Sequence, residues 1–388
     1  MSESATSERK LATPFNVIAG IILAGGAAIL ALRFVKGLRA TTNLTHDYPW
    51  GLWIGFDVMS GVALAAGGFV ISSAVYLFGM KEYKPIVRPA ILTGFLGYFL
   101  VVVGLFVDLG RPWRLPYPFV VQAGPTSALF EVALCVALYL TVLFIESTPA
   151  ALEWLGWRRA RRVVGGLTIA LTIFGLLLST LHQSSLGALF TITPTKLHPL
   201  WYSSYLPVHF FVSAVAAGLS MVIVESMISH RVFKEQVEIS HEQLDRLTLG
   251  LAKAGSVVLA IYFAIKVMAL MLDDNWHLLA TAWGAWYLVE LLGFVLLPCI
   301  LYAAGYRERR VGLVRTTGVI TVLGVVLNRF NVSFIAFNYS LPAEARYVPH
   351  WMEIWVTVAL VTSGVVAFRW IAGRMPILFE HPDWKGQH

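Results

Sequence analysis

Several residue types capable of acid–base or ligand chemistry lie in apolar stretches of the chain: Asp57, Tyr98, Glu131, His182, His209, Glu225, Lys266, Glu290 and Arg329. A charged group at the centre of a helix in a bilayer costs about 2.5 to 3.5 kcal/mol on insertion scales. Each such residue therefore needs a partner, a water-filled cavity or a function. Carboxyl, phenol and imidazole groups can pass protons, an imidazole can donate to a carbonyl or ligate iron, and a lysine and a glutamate on adjacent helices can neutralise each other. Only Cys135 and Cys299 carry thiols, and neither belongs to a C-x-x-C pair, so the expectation is no disulfide framework, metal site or iron–sulfur cluster in this chain.

The elements that hold these groups are transmembrane helices. The chain is 57% hydrophobic and only 13% charged over 388 residues, with mean hydropathy +0.72, which excludes a water-soluble reading. Ten runs are long enough to span, at approximately 14–36, 52–79, 88–109, 125–146, 163–183, 205–229, 248–272, 281–304, 313–337 and 351–373. Their length predicts helices rather than barrel strands. The first has Arg33 and Lys36 where a signal sequence would be cleaved, so it reads as a retained helix. Eighteen of the 29 Lys and Arg residues, among them Arg9, Lys10, Lys81, Lys84, Arg158 and Lys385, fall on the side of the N-terminus and seven on the other, which predicts cytoplasmic tails at 1–13 and 374–388. The net charge of +7 is then a matter of topology and anionic lipid, with no nucleic-acid partner required.

Projected by depth, Asp57, Asp108, Glu131, His182, His209, Lys266, Glu290, Arg329, His350 and Glu353 fall in the outer half, and Glu225 lies nearer the cytoplasm. This predicts a polar cavity opening outward. Asp57 can pair helices through Arg111 or Arg329 or touch a ligand. Glu131 has no cation at i±3 or i±4 on its own helix, which favours function over a structural pair. His182 and His209 can serve a quinone carbonyl or a haem iron, or lie in the headgroup layer. Lys266 and Glu290 can simply neutralise each other. Tyr98, Glu131 and His182, on three successive helices, can form a polar core. No loop holds a phosphate-binding glycine motif, which excludes an ATP-driven pump.

An echo links Asp57–Gly67 with His209–Gly218, each opening a block of four runs. The expected architecture is an all-α polytopic membrane domain over 14–373. It comprises two four-helix bundles, helices 2–5 (52–183) and 6–9 (205–337), flanked by helices 1 (14–36) and 10 (351–373). The outward loops join prolines to aromatics around Trp50, Arg111, Trp113, His198 and Trp201; they read either as an interfacial aromatic belt or as a docking platform.

Pro49–Asp57, Val87–Ala90, Leu129–Glu131, Leu181–Gly187 and His198–Trp201 resemble the NrfD/PsrC family, the membrane subunits of polysulfide reductase, and within it the HybB branch from quinone-reducing [NiFe] hydrogenases. The likeness runs from about residue 48 to 340. It implies a haem-free anchor in the bacterial cytoplasmic membrane that binds menaquinone or ubiquinone near the periplasmic face. It also implies electrons from a periplasmic ferredoxin-like iron–sulfur subunit, itself fed by a hydrogenase or, alternatively, a polysulfide reductase-like molybdoenzyme. The resemblance implies quinone binding or proton conduction at Tyr98, Glu131, His182 and Glu225, with Asp57 near the quinone pocket. Taken with the depth of the polar groups, the expectation is quinone binding at Trp53, Asp57, Glu131, His182 and His209, and a proton pathway at Tyr98, Glu131, Glu225, Lys266 and Glu290. Asn328–Asn331 departs from the pattern. A secondary transporter and a b-type cytochrome ligated by His182 and His209 are the rival readings.

Overall fold

In the computed structural model residues 13–234 and 236–379 are described; the outermost tails, with Arg9, Lys10 and Lys385, lie outside the described residues. Ten helices are long and apolar enough to cross a bilayer: α1 (Pro14–Lys36), α2 (Trp53–Tyr76), α3 (Lys81–Asp108), α4 (Ala128–Trp154), α5 (Arg158–Thr191), α6 (Leu206–Val232), α7 (His241–Leu272), α8 (Ala282–Arg307), α9 (Val311–Ile335) and α10 (Trp351–Ala372). Among the described residues there is no strand, only one isolated bridge between Leu197 and Phe337. The chain is thus an all-helical, multi-pass integral membrane protein. α5 is longer than the hydropathy window suggests, because its first turns carry arginines and its last two turns run on through Ser184 to Thr191.

Helices α2, α3, α4 and α5 close one ring of contacts, and α6, α7, α8 and α9 close another. The rings join through α2, which packs on α6 and α9, and through α5 against α6; α1 and α10 pair outside and lean on α3. α2 and α6 are accordingly the most enclosed spans, 78% and 61% buried over their apolar windows against 17% for α1. Inside lipid the hydrophobic effect does not drive helices together, so small residues that let backbones meet supply the packing. Gly67 of α2 and Gly218 of α6, the last residues of the two echoed segments, face each other here.

Polar ties fix the ends of the rings. At the Lys/Arg-rich end, Glu153 of α4 accepts two hydrogen bonds from Arg88 of α3, at 2.9 and 2.8 Å, and one from Arg161 of α5 at 2.8 Å. At the opposite, aromatic-rich end, the His198 amide donates to the Ala336 carbonyl, which stitches loop 192–205 to loop 336–350. Three spans contain π-helical turns, Trp53–Ser60, Val289–Leu296 and Asn331–Ile335. Such turns re-aim side chains within a helix. Asp57, Glu290 and Asn331 all sit in them.

Candidate functional site

The polar residues form three separate clusters rather than lining one shared outward cavity. A cavity of about 800 Å³ lies at the Lys/Arg-rich end of the first ring, and one at the aromatic end holds only about 20 Å³. Depth along a helix was legible from hydropathy. The direction in which each group faces depends on helix rotation, which separates groups of equal depth.

The first cluster fills the axis of the α2–α5 ring. His182 is fully buried, its Nδ1 lies 2.6 Å from the Leu178 carbonyl, and its Nε2 meets the Tyr98 hydroxyl. A carbonyl can only accept, so Nδ1 carries the hydrogen and Nε2 accepts the phenol proton. Gln183 donates to the Val62 carbonyl at 3.0 Å. Tyr139 of α4 stands edge-on to Tyr98 with ring centroids 4.7 Å apart. One turn along α5 from His182, the Ser185 hydroxyl donates to the Glu131 carboxylate at 2.7 Å. Glu131 lies in the first turn of α4, shallower than its sequence position suggests, and is exposed. This cluster therefore runs from an exposed carboxylate to an enclosed imidazole–phenol pair. Of the residues named from the sequence, it brings together Tyr98, Glu131 and His182.

Trp53 and Asp57 belong to a second cluster, on the α2–α10 contact. The Trp53 indole donates to the Glu353 carbonyl at 3.3 Å, and Asp57 accepts from Thr357 at 2.9 Å, so the partner of Asp57 is neither Arg111 nor Arg329. Both residues are buried. A Cβ on Gly104 would come within 2.9 Å of the Asp57 Cβ, so α3 closes the remaining side. His350 and Glu353 form the capping box of α10.

The third cluster occupies the α6–α9 ring. Glu290 accepts from Lys266, from the Trp201 indole at 2.8 Å, and from Asn328 and Asn331 at 2.8 and 2.5 Å. Four donors around one carboxylate hold a buried ion pair in place. Arg329, with no exposed surface, does not contact Glu290 but is tied to the cluster through Asn328, donating to its Oδ1 at 2.7 Å. It donates to the Phe210 carbonyl at 3.1 Å and Ser213 at 2.9 Å, and its guanidinium lies 3.8 Å over the Phe210 ring. His209 faces the small cavity with its Nε2 unpartnered. Glu225 is buried against Thr93 of α3 and does not reach the large cavity.

The docking expectation also needs correction. His198 and Trp201 are only 5% and 4% exposed, and Trp50 stacks on Phe337 and meets Phe190 edge-on. Burial pushes the His198 imidazole below its ordinary pKa, and its Nδ1 accepts from the Leu200 amide at 3.2 Å. These three residues lock loops together. Arg111 is exposed, as is Trp113 at 68%, and both remain on the surface.

A family model described as polysulphide reductase, NrfD, matches residues 40–338. The chain belongs to the NrfD family. A protein from Nitratidesulfovibrio vulgaris is 59% identical, with all of both chains covered. A probable Ni/Fe-hydrogenase 2 b-type cytochrome subunit of Escherichia coli is 30% identical over 90% of this chain and 88% of its own. The integral membrane subunit of a menaquinone reductase, also from N. vulgaris, is 24% identical over 92% and 90%. The NrfD chain described here thus has relatives that are membrane subunits of oxidoreductase complexes.

The name of the E. coli relative raises haem, and the residues can be tested for it. Both His182 ring nitrogens are already engaged, so that side chain offers no free nitrogen to an iron. The pair His182 and His209 does not fit the axial-ligand role. Among the described residues no group of three or more His, Cys, Asp or Glu is placed to hold a metal.

Sequence reasoning overlooked Tyr139, Glu146, Glu153, Ser179 and Ser185. A signal for two of them existed: with Glu131, Tyr139 and Glu146 recur at intervals of eight and seven, about two helical turns each, along α4.

Proposed function

We propose that this NrfD-family chain is the quinone-reactive membrane subunit of a respiratory oxidoreductase in the bacterial cytoplasmic membrane. Both of its termini lie in the cytoplasm, and its aromatic-rich end faces the periplasm. Electrons arrive from a periplasmic ferredoxin-like iron–sulfur subunit that docks near Arg111 and Trp113, fed by a [NiFe] hydrogenase. Menaquinone or ubiquinone takes up two electrons and two protons and leaves as the quinol. The 30% identity to a hydrogenase subunit supports the hydrogenase over a molybdoenzyme such as polysulfide reductase. Co-purification in mild detergent decides between them.

The observation that carries this reading is the placement of Glu131 and Ser185 one turn from the His182–Tyr98 pair. A quinone head entering from lipid meets the exposed carboxylate first. Glu131 delivers protons to the quinone oxygens, and the enclosed imidazole and phenol resupply it through their hydrogen bond. Asp57 and Trp53 support this arrangement from the α2–α10 side, and the Lys266–Glu290 pair anchors the second ring. The Glu131→Gln protein, assembled with its partners, is expected to lose at least a hundredfold in quinone reduction. A normal rate would remove Glu131 from the mechanism and sink the proposal.

A further inference from the structure

The cavity at the Lys/Arg-rich end is lined in part by α3, α4 and α5, and its wall includes Glu146. Glu146 accepts from the Thr172 hydroxyl of α5 at 3.2 Å. Toward the aromatic-rich end, two turns along each helix, stand Tyr139 of α4 and Ser179 of α5, neither with any exposed surface. Neither hydroxyl makes a well-formed hydrogen bond within the protein, although Ser179 lies beside both the Tyr139 and the Tyr98 hydroxyls. Tyr139 in turn packs against both Tyr98 and His182, with ring centroids 4.7 and 5.6 Å away. Buried hydroxyls without a protein partner are normally satisfied by water, and a file of hydroxyls and water conducts protons. Glu225 does not contact this cavity.

We propose that Glu146 is the proton-uptake group of the first ring. It takes protons from the cavity at the Lys/Arg-rich end and passes them through the Thr172, Tyr139 and Ser179 hydroxyls, with bridging water, to the Tyr98–His182 pair. The inference rests on the quinone reading above. It specifies the side from which the reaction draws its protons, and it places the route inside the α2–α5 ring rather than at the α3–α6 contact where Glu225 lies. With the electron donor on one face and the proton source on the other, each turnover moves charge across the bilayer.

The test uses the whole complex reconstituted in vesicles, with a short-chain menaquinone analogue as acceptor, reduced viologen as donor and a pH-sensitive dye on each side in turn. Wild type is expected to take up protons from the compartment facing the Lys/Arg-rich end. Glu146→Gln should slow that uptake at least tenfold while leaving the Kd of the analogue within twofold, and Glu146→Asp should restore part of it. Tyr139→Phe with Ser179→Ala, which removes two hydroxyls and no charge, should slow it at least fivefold, and serves equally if Glu146→Gln fails to assemble. Unchanged uptake in these variants, loss in Glu225→Gln alone, or wild-type uptake solely from the aromatic-rich side overturns the inference. The quinone reading is judged separately, by the quinone-reduction rate of Glu131→Gln.

Discussion

Gly67 of α2 and Gly218 of α6 meet so closely that a Cβ on Gly218 would sit 2.7 Å from the Gly67 nitrogen and 2.8 Å from the Ala66 carbonyl carbon. The obstacle is backbone, which cannot rotate away as a side chain can. Gly218→Val should therefore force the two rings apart, costing about 1–3 kcal/mol by overpacking, read as a fall in thermal unfolding temperature in detergent. Gly20→Ala, where nothing lies within 4 Å, should change nothing. Equal effects of the two would mean that the α2–α6 contact is not the joint between the rings.

Lys266 and Glu290 are both buried, and removing one partner strands the other. Lys266→Met should destabilise the protein by about 3–5 kcal/mol, as broken buried pairs do. Adding Glu290→Gln, which keeps acceptor capacity for Trp201 and Asn328, should recover part of that loss. A double variant no more stable than Lys266→Met would show that the pair does not account for the effect.

His198 carries a depressed pKa in the folded loop because of burial, so the unfolded chain binds its proton more readily. The stabilisation is complete above the ordinary imidazole pKa of about 6.5 and declines as pH falls through it. Thermal unfolding between pH 8 and pH 5 should show this decline, and His198→Asn, whose amide oxygen can replace Nδ1 as acceptor, should flatten it. A pH profile identical in the two proteins would assign the acid sensitivity to other groups.

Tyr98→Phe removes the phenol proton from His182 Nε2 and leaves a buried nitrogen unpaired, at a cost of about 1–3 kcal/mol in stability. On the proposed mechanism it should also lower quinone turnover about a hundredfold, within the range for lost proton-transfer groups. The Kd for a quinone analogue should stay unchanged. Loss of binding with an intact maximal rate would make Tyr98 a packing residue.

The spans were legible because membrane crossing is a property of each segment alone: about 20 apolar residues suffice, whatever the neighbours. The echo of Asp57–Gly67 in His209–Gly218 pointed to the two blocks, and the matching ends of those segments touch at their joint. Pairings across the chain were another matter. Arg88 and Arg161 read from the sequence only as cytoplasmic charges, yet both serve Glu153, which required α3, α4 and α5 to bring three distant positions together. His198 and Trp201 look like exposed anchors by residue type, and their burial follows from distant segments that cover them: Tyr339 and Ala336 against His198, Tyr287 against Trp201, and Trp283 against both. Tyr139 and Ser179 each pass for ordinary core residues until the rotation of α4 against α5 turns both toward the same axis.

On the proposed uptake route, the polar stripe on α4 makes the length of that helix a functional quantity. A single residue inserted between Tyr139 and Glu146 would rotate everything beyond it by about 100°, carrying the carboxylate away from Thr172 and toward acyl chains without altering one side chain of the site. Tolerance to gaps along this segment should accordingly be far lower than tolerance to apolar replacements on its outward face.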